Sequence, residues 1–212
     1  MDRTALLIGN SDGIGLSITR ELLQRGWNVC GMSRSESPIS SDTYIHRVVD
    51  VSNPDYPSLL KSALVDMPLL DLCIYCAGIG EPLDVENMDK EENVFMVNLI
   101  GLVRTTSIVL PRMIDKRHGH FIGLSSVADE MLSFEAPSYH ASKAAFSNYM
   151  EGLALAVKPK GVAVTNVRFG FVDTKMAKGD VRPFMISVEK ATKHLLRCIE
   201  KKPIRYTAPK IV

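Results

Sequence analysis

The sequence has no long apolar run, little net charge and no secretory leader pattern. No stretch approaches the roughly 18 uninterrupted apolar residues that mark a transmembrane helix, so we expect no membrane span. The formal net charge of +1 at pH 7 gives no reason to expect a nucleic acid or an anionic membrane as partner. The opening residues MDRTALLIG lack the apolar core and small-residue cleavage site of a signal peptide. We therefore expect a cytoplasmic protein.

Cysteine is also scarce, since the chain of 212 residues has only four. Four cysteines do not make a disulfide framework at this length. Cys73 and Cys76 form a C-x-x-C, but they lie in an apolar run of strand length, LLDLCIYCAG. Residues three apart on a strand point to opposite faces, and the sequence has no second C-x-x-C to complete a zinc site. We therefore expect core packing and no metal site.

The sequence does contain an alternation of short apolar runs and longer amphipathic ones. Its hydrophobic share of 46% and charged share of 23% are those of one globular domain, placed over residues 1–212. Strands are predicted at 4–9, 28–33, 44–49, 70–76, 120–125, 162–168 and 205–208, and helices near 14–25, 54–66, 88–98, 100–116, 138–157 and 187–201. This order predicts an α/β fold: a single-domain, Rossmann-like, doubly wound parallel sheet of about seven strands flanked by helices.

Three glycines follow the first predicted strand, in the stretch LLIGNSDGIGLSI. Gly9, Gly13 and Gly15 are spaced G-x-x-x-G-x-G and lead into a helical pattern. Glycine permits positive φ and close approach of a phosphate, and the N-terminus of the following helix offers free N–H groups to an anion. The stretch predicts a nucleotide phosphate site. The alternative is a tight turn that merely requires glycine.

The second predicted strand ends in CGMSRS, where the fold selects between nicotinamide cofactors. Folds that bind NAD place a carboxylate about 20 residues after the glycine loop to bind the ribose hydroxyls. This chain has Ser33 and Arg34 there, and no acidic residue follows until Glu36. An arginine can pair with the 2′-phosphate of NADP, so we expect NADP(H) to be favoured over NAD(H). The alternative is a solvated surface arginine.

A Y-x-x-x-K pattern opens the helix predicted at 138–157. Tyr139 and Lys143 share one helix face, and Ser125 and Ser126 end the preceding strand. Tyrosine is a poor base at neutral pH because its reference pKa is about 10. We expect the lysine cation to lower the pKa of Tyr139 by about 2 pH units, toward that of a useful acid or base. In isolation such a pair is more often structural.

Taken in order, these motifs closely resemble those of the short-chain dehydrogenase/reductase family, of the ordinary, non-extended type. The resemblance runs from residue 4 to about residue 175 and more loosely to the end. The matching motifs are the glycine loop; Asp50-Val51 after the third strand; Ala77-Gly78 after the fourth; Asn98 in FMVNLIG; Ser126; Tyr139 with Lys143; and FGFVDT at 169–174.

The resemblance implies four catalytic residues. Tyr139 would donate a proton to a carbonyl oxygen, or accept one in the reverse direction, and Ser126 would hydrogen-bond that oxygen. Lys143 would bind the nicotinamide ribose and lower the pKa of the tyrosine. Asn98 would hold a helix distortion and a water that relays the proton. The protein would align the reactants, while the hydride chemistry belongs to the cofactor.

The same similarity extends to cofactor contacts. Asp50 and Val51 would flank the adenine, and Val172 and Thr174 would contact the nicotinamide carboxamide. With the glycine loop and the end of the second strand, the predicted cofactor-binding set is Gly9, Ser11, Asp12, Gly13, Ile14, Gly15, Ser33, Arg34, Asp50, Val51, Ala77, Gly78, Tyr139, Lys143, Val172 and Thr174.

Several positions depart from the family pattern. Ile8 stands where threonine is usual, Tyr75-Cys76 replace an Asn-Asn pair, and Phe169 replaces the proline of a Pro-Gly turn. The glycine loop also carries NSD, without the basic residue of many NADP-preferring members. None of these changes falls on the four catalytic positions, so we expect them to affect cofactor affinity and preference more than chemistry.

The substrate side and the oligomer are also inferred from the resemblance. Members commonly insert a long helical lid after the FGFVDT turn, whereas only KMAKGDVRPFMI, residues 175–186, intervenes here. A short lid suggests an open site or a small carbonyl substrate. The helices near 100–116 and 138–157 often pair with a second subunit in this family, so we expect a homodimer or homotetramer. The helix at 138–157 has apolar residues on a wide face: Phe146, Tyr149, Met150, Leu153 and Val157.

The leading interpretation is an NADP(H)-dependent oxidoreductase that interconverts an aldehyde or ketone and an alcohol by hydride transfer, with Tyr139 as acid and base. One alternative is a catalytically idle NADP(H)-binding sensor or scaffold of the same fold. Another is a sugar-nucleotide epimerase, which shares Y-x-x-x-K. The glycine spacing and the short C-terminal part disfavour the epimerase.

Overall fold

The structure is a computed structural model that describes residues 3–177 and 184–209. Seven parallel strands form one sheet in the order β3-β2-β1-β4-β5-β6-β7. The strands are β1 (Thr4–Ile8), β2 (Asn28–Ser33), β3 (Tyr44–Val48), β4 (Leu72–Tyr75), β5 (His120–Ser126), β6 (Ala163–Phe169) and β7 (Arg205–Ala208). The helices are α1 (Gly13–Gln24), α2 (Tyr56–Ala63), α3 (Asp89–Phe95), α4 (Gly101–Asp115), α5 (Pro137–Val157) and α6 (Val188–Lys201). The predicted fold class is confirmed.

The strand order reverses between β1 and β4. From β1 the chain moves outward to β2 and β3, then returns to pair β4 with the other side of β1, where Ile8 lies opposite Tyr75. In such sheets the ligand crevice lies outside the carboxyl ends of the strands at this reversal. The glycine loop after β1 and the Ala77-Gly78 turn after β4 both lie at this edge.

Helices cover both faces of the sheet, so each central strand contributes to two cores. In β1, Leu6 and Ile8 pack into one apolar cluster, while Ala5 and Leu7 pack into the other. All four side chains are fully buried. Burial on both faces explains why the strands read as nearly continuous apolar runs rather than as alternating patterns.

The C-x-x-C pair diverges across the sheet as predicted. Cys73 on β4 is buried in one core, Cys76 packs against the other, and both thiols are free. Burial raises the pKa of Cys76 to about 12, which makes it a poor metal ligand at neutral pH. Within the described ranges, no three His, Cys, Asp or Glu side chains cluster as a metal site would require.

The two helices predicted near 88–98 and 100–116 form one continuous helical path. A π-helical segment, Met96–Ile100, joins α3 to α4 in place of the predicted break. Gly101 lets this path pack closely on the sheet, because a Cβ at its position would lie 2.3 Å from the Tyr75 hydroxyl oxygen. The path is therefore held against β4 by close contact.

By length and composition, one helical stretch among the described residues could span a membrane. It is Asp89–Asp115, with a mean hydropathy of 1.6 over its most apolar window, and half of that window is buried inside the fold. Its Arg104 also donates hydrogen bonds to the carbonyl oxygens of Ser52 and Asn53, at 3.3 and 3.2 Å. The stretch thus packs as a core helix of the sheet.

Trp27 closes the opposite, amino-terminal edge of the sheet. It directly precedes β2, is 5% exposed and packs in the same core as Leu22 and Val29. The guanidinium carbon of Arg3 lies 4.8 Å from the indole ring centroid, within the range of a cation–π contact. This end of the fold is therefore closed by an aromatic ring far from the glycine loop.

Candidate active site

The glycine loop has the backbone geometry that only glycine allows. Gly9 has φ of +84°, and a Cβ there would lie 2.5 Å from the backbone nitrogen of Ala77. A Cβ on Gly15 would lie 2.1 Å from the carbonyl oxygen of Gly9. Asp12 caps α1 by accepting a hydrogen bond of 2.7 Å from the Gly13 N–H. The close approach of the loop to the end of β4 and the helix N-terminus behind it fit a nucleotide phosphate.

A buried polar network beneath this loop was not predicted. Asn10 is fully buried and donates a hydrogen bond of 2.7 Å to the Tyr44 hydroxyl, which is hydrogen-bonded to His46 Nδ1 at 3.0 Å. Gly31 makes room for it, because a Cβ there would lie 2.2 Å from the Asn10 amide nitrogen. In the described part of the chain, Asn10 Oδ1 has no hydrogen-bond partner. The asparagine of NSD thus ties the glycine loop to β2 and β3.

The end of β2 presents Arg34 to solvent. Ser33 is buried and donates a hydrogen bond of 3.0 Å to the Ser35 carbonyl, while Arg34 between them is exposed. His46 Nε2 is hydrogen-bonded to the same Ser35 carbonyl at 3.0 Å. The turn that carries Arg34 is therefore held by hydrogen bonds from β2 and β3, and Arg34 directly follows the carboxyl end of β2.

The two residues predicted to flank the adenine differ in their surroundings. Asp50 Oδ1 accepts hydrogen bonds from the backbone nitrogen and the hydroxyl of Ser52, at 2.9 and 2.7 Å. Val51 is only 5% exposed, and its side chain packs in the core against Gly101. The side chain of Val51 is thus committed to packing, which leaves its backbone for any contact with a nucleotide.

Asn98 lies in the π-helical segment, so the predicted helix distortion is present. It is fully buried, accepts a hydrogen bond of 2.8 Å from the Ile79 N–H, and donates to the Ile79 carbonyl and the Ser142 hydroxyl at 2.9 and 3.0 Å. The Tyr75 hydroxyl donates a bond of 2.6 Å to the Val97 carbonyl in the same segment. Tyr75, which replaces one asparagine of the family's Asn-Asn pair, thus supplies a buried hydrogen bond to the distorted helix.

Ser126, Tyr139 and Lys143 are brought together where β5 ends and α5 begins. The Ser126 hydroxyl lies close enough to Tyr139 to lower the pKa of its phenol, and Lys143 Nζ lies 5.8 Å from the Tyr139 ring centroid. The Lys143 ammonium donates a hydrogen bond of 2.9 Å to the Leu124 carbonyl. A Cβ on Gly80 would lie only 3.1 Å from the Tyr139 ring, so the turn after β4 packs on that ring.

The expected effect of Lys143 on Tyr139 is not met in this structure. Burial raises the pKa of Tyr139, the Ser126 hydroxyl opposes that change, and the charge of Asp129 adds to it. Burial also lowers the pKa of Lys143 to about 8, against the opposing charge of Asp129. The predicted fall in the pKa of Tyr139 is therefore wrong in direction, because burial disfavours the charged tyrosinate.

The FGFVDT turn closes over the glycine loop. Val172 is buried and pairs with Ile186 through an isolated β-bridge, and the Thr174 methyl group lies 3.2 Å from where a Cβ on Gly13 would be. Lys175 forms an ion pair of 2.9 Å with Asp12, which lowers the pKa of that carboxyl. Phe169 is buried in the core rather than shaping the turn. Of the lid predicted at 175–186, residues 178–183 lie outside the described residues.

The geometry brings most of the predicted site together at one edge of the sheet. Three of the four predicted catalytic residues adjoin the turn after β4, since Asn98 Oδ1 and Lys143 Nζ each lie 3.5 Å from where a Cβ on Gly78 would be, and the Tyr139 ring lies 3.1 Å from where one on Gly80 would be. A buried ion pair between Asp129 and Arg168 adjoins this set and was not predicted. The two residues lie 39 apart in sequence, and no local pattern joins them.

Comparison with known proteins agrees with this geometry. A family model for short chain dehydrogenases matches residues 3–183. The 3-oxoacyl-(acyl-carrier-protein) reductase FabG of Vibrio cholerae is 31% identical over 185 residues, which cover 83% of this chain and 76% of that protein. An uncharacterized oxidoreductase of Myxococcus xanthus is 29% identical over 200 residues, covering 88% and 79%.

Solved structures share the fold at low identity. A short-chain dehydrogenase from Sphingobium yanoikuyae in complex with NADPH has a TM-score of 0.88 at 22% identity, covering 99% of this chain and 89% of that one. One from Burkholderia cenocepacia in complex with NADP has a TM-score of 0.87 at 23%, covering 97% and 87%. A 3-ketoacyl-(acyl-carrier-protein) reductase from Brucella melitensis complexed with NADH has a TM-score of 0.87 at 16% identity, and the match covers 97% of this chain and 96% of that one. With its glycine loop, its Ser126–Tyr139–Lys143 cluster and the family match over most of its length, this chain belongs to the short-chain dehydrogenase family of NAD(P)-dependent oxidoreductases.

Proposed function

We propose that this protein interconverts an aldehyde or ketone and an alcohol, with NADP(H) as cofactor and Tyr139 as acid and base. The observation that carries the proposal is the convergence of three side chains, since the Ser126 hydroxyl acts on Tyr139 and the buried Lys143 has its Nζ 5.8 Å from the Tyr139 ring centroid. Two hydroxyl groups that converge on one point can both bond to a single carbonyl oxygen. When bound, the nicotinamide would supply or accept the hydride.

The chain's own groups then handle the oxygen and its proton. Ser126 would hydrogen-bond the carbonyl oxygen and hold it against Tyr139. Because burial raises the pKa of Tyr139, its hydroxyl stays protonated at neutral pH and suits proton donation, as the reductive direction requires. Asn98 would keep the turn after β4 in place through its two bonds to Ile79.

Lys143 has a separate part in this proposal. Its ammonium is 5% exposed and fixed by the Leu124 carbonyl, so it is held in one place beside Tyr139. With a pKa of about 8, it remains mostly charged at neutral pH and can donate to ribose hydroxyls. The glycine loop with Asp12 and Thr174 would hold the pyrophosphate and the nicotinamide end.

The preference for NADP(H) rests on Arg34. Its exposed guanidinium follows β2, where NAD-binding folds have a carboxylate. The solved neighbours include complexes with NADP, NADPH and NADH, so fold alone does not select the cofactor. A guanidinium at this position can pair with the 2′-phosphate that distinguishes NADP.

The test follows NADPH absorbance with a panel of aldehydes, ketones and quinones, for the wild type, Tyr139→Phe and Tyr149→Phe. Tyr149 is on the same helix, with its hydroxyl bonded to Thr106 at 3.0 Å, and serves as the matched control. We expect Tyr139→Phe to bind NADPH but to lose about 10²–10⁴-fold in turnover, and Tyr149→Phe to remain active.

Two outcomes would contradict the proposal. Unchanged turnover by Tyr139→Phe would remove the tyrosine from the chemistry. Binding of NADPH with no turnover of any compound by the wild type would favour an idle NADP(H)-binding sensor or scaffold.

We also propose that the protein is cytoplasmic and forms a homodimer or homotetramer.

A further inference from the structure

A buried ion pair joins the turn after β5 to β6. Arg168 donates to both carboxylate oxygens of Asp129, from Nε to Oδ2 at 2.7 Å and from Nη2 to Oδ1 at 2.6 Å. The side chains of Asp129 and Arg168 are 3% and 6% exposed. Asp129 lies in the 3₁₀ turn Val127–Glu130, which begins directly after Ser126. The pair is therefore bidentate, desolvated and adjacent to the site.

The same carboxylate also binds α5. Ser147 on α5 donates a hydrogen bond to Asp129 Oδ2 and accepts one of 2.8 Å from the Ser125 hydroxyl. The Ser125 hydroxyl oxygen also lies 3.4 Å from the Lys143 carbonyl oxygen. One buried carboxylate thus links the turn that holds Ser126, the helix that holds Tyr139 and Lys143, and strand β6.

A buried charge acts on its neighbours more strongly than an exposed one because water does not screen it. The Asp129 anion disfavours the tyrosinate form of Tyr139 and favours the charged form of Lys143. The other charged or titratable groups recorded near Tyr139 in the described structure are Lys143 and His140, both from α5, and Cys76, which follows β4 and acts on Lys143.

We propose that Asp129 is a positioning residue that controls how readily Tyr139 releases its proton, and that Arg168 sets how much of the Asp129 charge reaches the tyrosine. This rests on the proposed role of Tyr139. Removing the anion alone leaves the Arg168 cation beside the site, which stabilises tyrosinate. Removing both charges leaves Tyr139 without a net charge from this pair, as in the wild type.

The test measures the ionisation of Tyr139 from tyrosinate ultraviolet absorbance, as the difference between each variant and the same variant carrying Tyr139→Phe. We expect Asp129→Asn to lower the titration midpoint by about one pH unit. The double variant Asp129→Asn/Arg168→Met should return it toward the wild-type midpoint. Glu130→Gln is the matched control, because Glu130 also contacts Arg168, at 2.9 Å, but is 63% exposed.

A merely structural brace would lower the melting temperature of Asp129→Asn and leave the Tyr139 midpoint in place, which would overturn the proposal. If Asp129→Asn does not fold, Arg168→Met and the double variant carry the same comparison. The variant that keeps the Asp129 carboxylate must then titrate at the higher pH, and equal midpoints overturn the proposal. The titration needs no substrate, so failure of the proposed reaction is detected separately, by the absence of turnover.

Discussion

Burial moves the two ionisable groups of the site in opposite directions. It raises the pKa of Tyr139 and lowers the pKa of Lys143 to about 8. Burial therefore increases the uncharged fraction of each group above the fraction expected for a tyrosine or a lysine side chain in water. The Asp129 carboxylate works with burial on the tyrosine and against it on the lysine. At the scale of single residues, desolvation and one buried anion thus govern the pKa values of the tyrosine and the lysine.

Arg34 gives the most direct residue-scale prediction. We expect Arg34→Asp to move the preference from NADPH toward NADH by about 10–100-fold in kcat/KM, because a carboxylate repels the 2′-phosphate and can bind the ribose hydroxyls. Steady-state kinetics with both cofactors would measure this. Arg25→Asp, at the other end of α1 with a side chain 49% exposed, is the control and should leave the ratio unchanged. An unchanged ratio in Arg34→Asp would remove this residue from cofactor selection.

Buried His120 makes the free energy of unfolding depend on pH. It is 2% exposed, its Nε2 is hydrogen-bonded to Thr165 at 2.8 Å, and its Nδ1 has no partner within the described ranges. Burial lowers the pKa of His120 to about 3. Below about pH 6.5 the unfolded chain takes up a proton that the folded protein refuses, so the free energy of unfolding falls by about 1.4 kcal/mol per pH unit down to about pH 3.

We expect the free energy of unfolding of His120→Asn to depend less on pH than that of the wild type. The measurement is denaturant unfolding between about pH 7 and about pH 4, with His118→Gln as a control that keeps His120 in place. The wild type and His118→Gln should lose stability more steeply than His120→Asn on the acid side. Equal slopes for all three proteins would mean that His120 is not held neutral.

At the scale of elements, local pattern located nearly every helix and strand. The boundaries of β2 and β7 agree with the prediction. Each of these strands is a short run of strand-forming residues that is bounded in the sequence by residues typical of turns. The π-helical segment was predicted only as a distortion, from resemblance, and it is bonded to Tyr75 and Ile79, which come from other parts of the chain. Such long-range hydrogen bonds have no signature in the periodicity of one segment.

The buried contact at this segment is testable. Tyr75→Phe removes the buried hydroxyl that donates to the Val97 carbonyl. We expect a loss of about 1–3 kcal/mol in the free energy of unfolding, measured by urea denaturation. Tyr149→Phe, which breaks a part-buried bond to another hydroxyl, should cost less. A smaller loss for Tyr75→Phe than for Tyr149→Phe would contradict this reading of the segment.

At the scale of the whole molecule, the fold of one subunit covers part of the apolar face of α5, one of the two helices predicted to contact a second subunit. Of the apolar residues on that face, Phe146 and Met150 are fully buried in the core and Val157 is 6% exposed. The exposed side of α5 carries mostly small residues instead, Ala141, Ala144, Asn148, Gly152, Leu155 and Ala156. The periodicity identified an apolar face, but it could not tell that the sheet of the same chain covers it.

If α5 forms the interface between subunits, Gly152 lies on it. A Cβ there would meet nothing within 4 Å, so the folded subunit tolerates a side chain at this position. We expect the wild type to sediment as a dimer or tetramer and Gly152→Arg as a monomer with unchanged circular dichroism. Ser62→Arg, exposed on α2, is the control and should leave the assembly intact. A Gly152→Arg protein that sediments like the wild type would exclude this helix face.

The indole ring at the amino-terminal edge of the sheet has a practical consequence. Trp27 is the single tryptophan of the chain and is buried under Arg3, whereas a reduced nicotinamide bound at the carboxyl edge would fluoresce at the opposite end of the strands. The protein therefore offers two optical reporters on opposite edges of one sheet. Coincident denaturation curves from the two would indicate that the sheet unfolds cooperatively from edge to edge, and separated curves would reveal that one edge opens before the other.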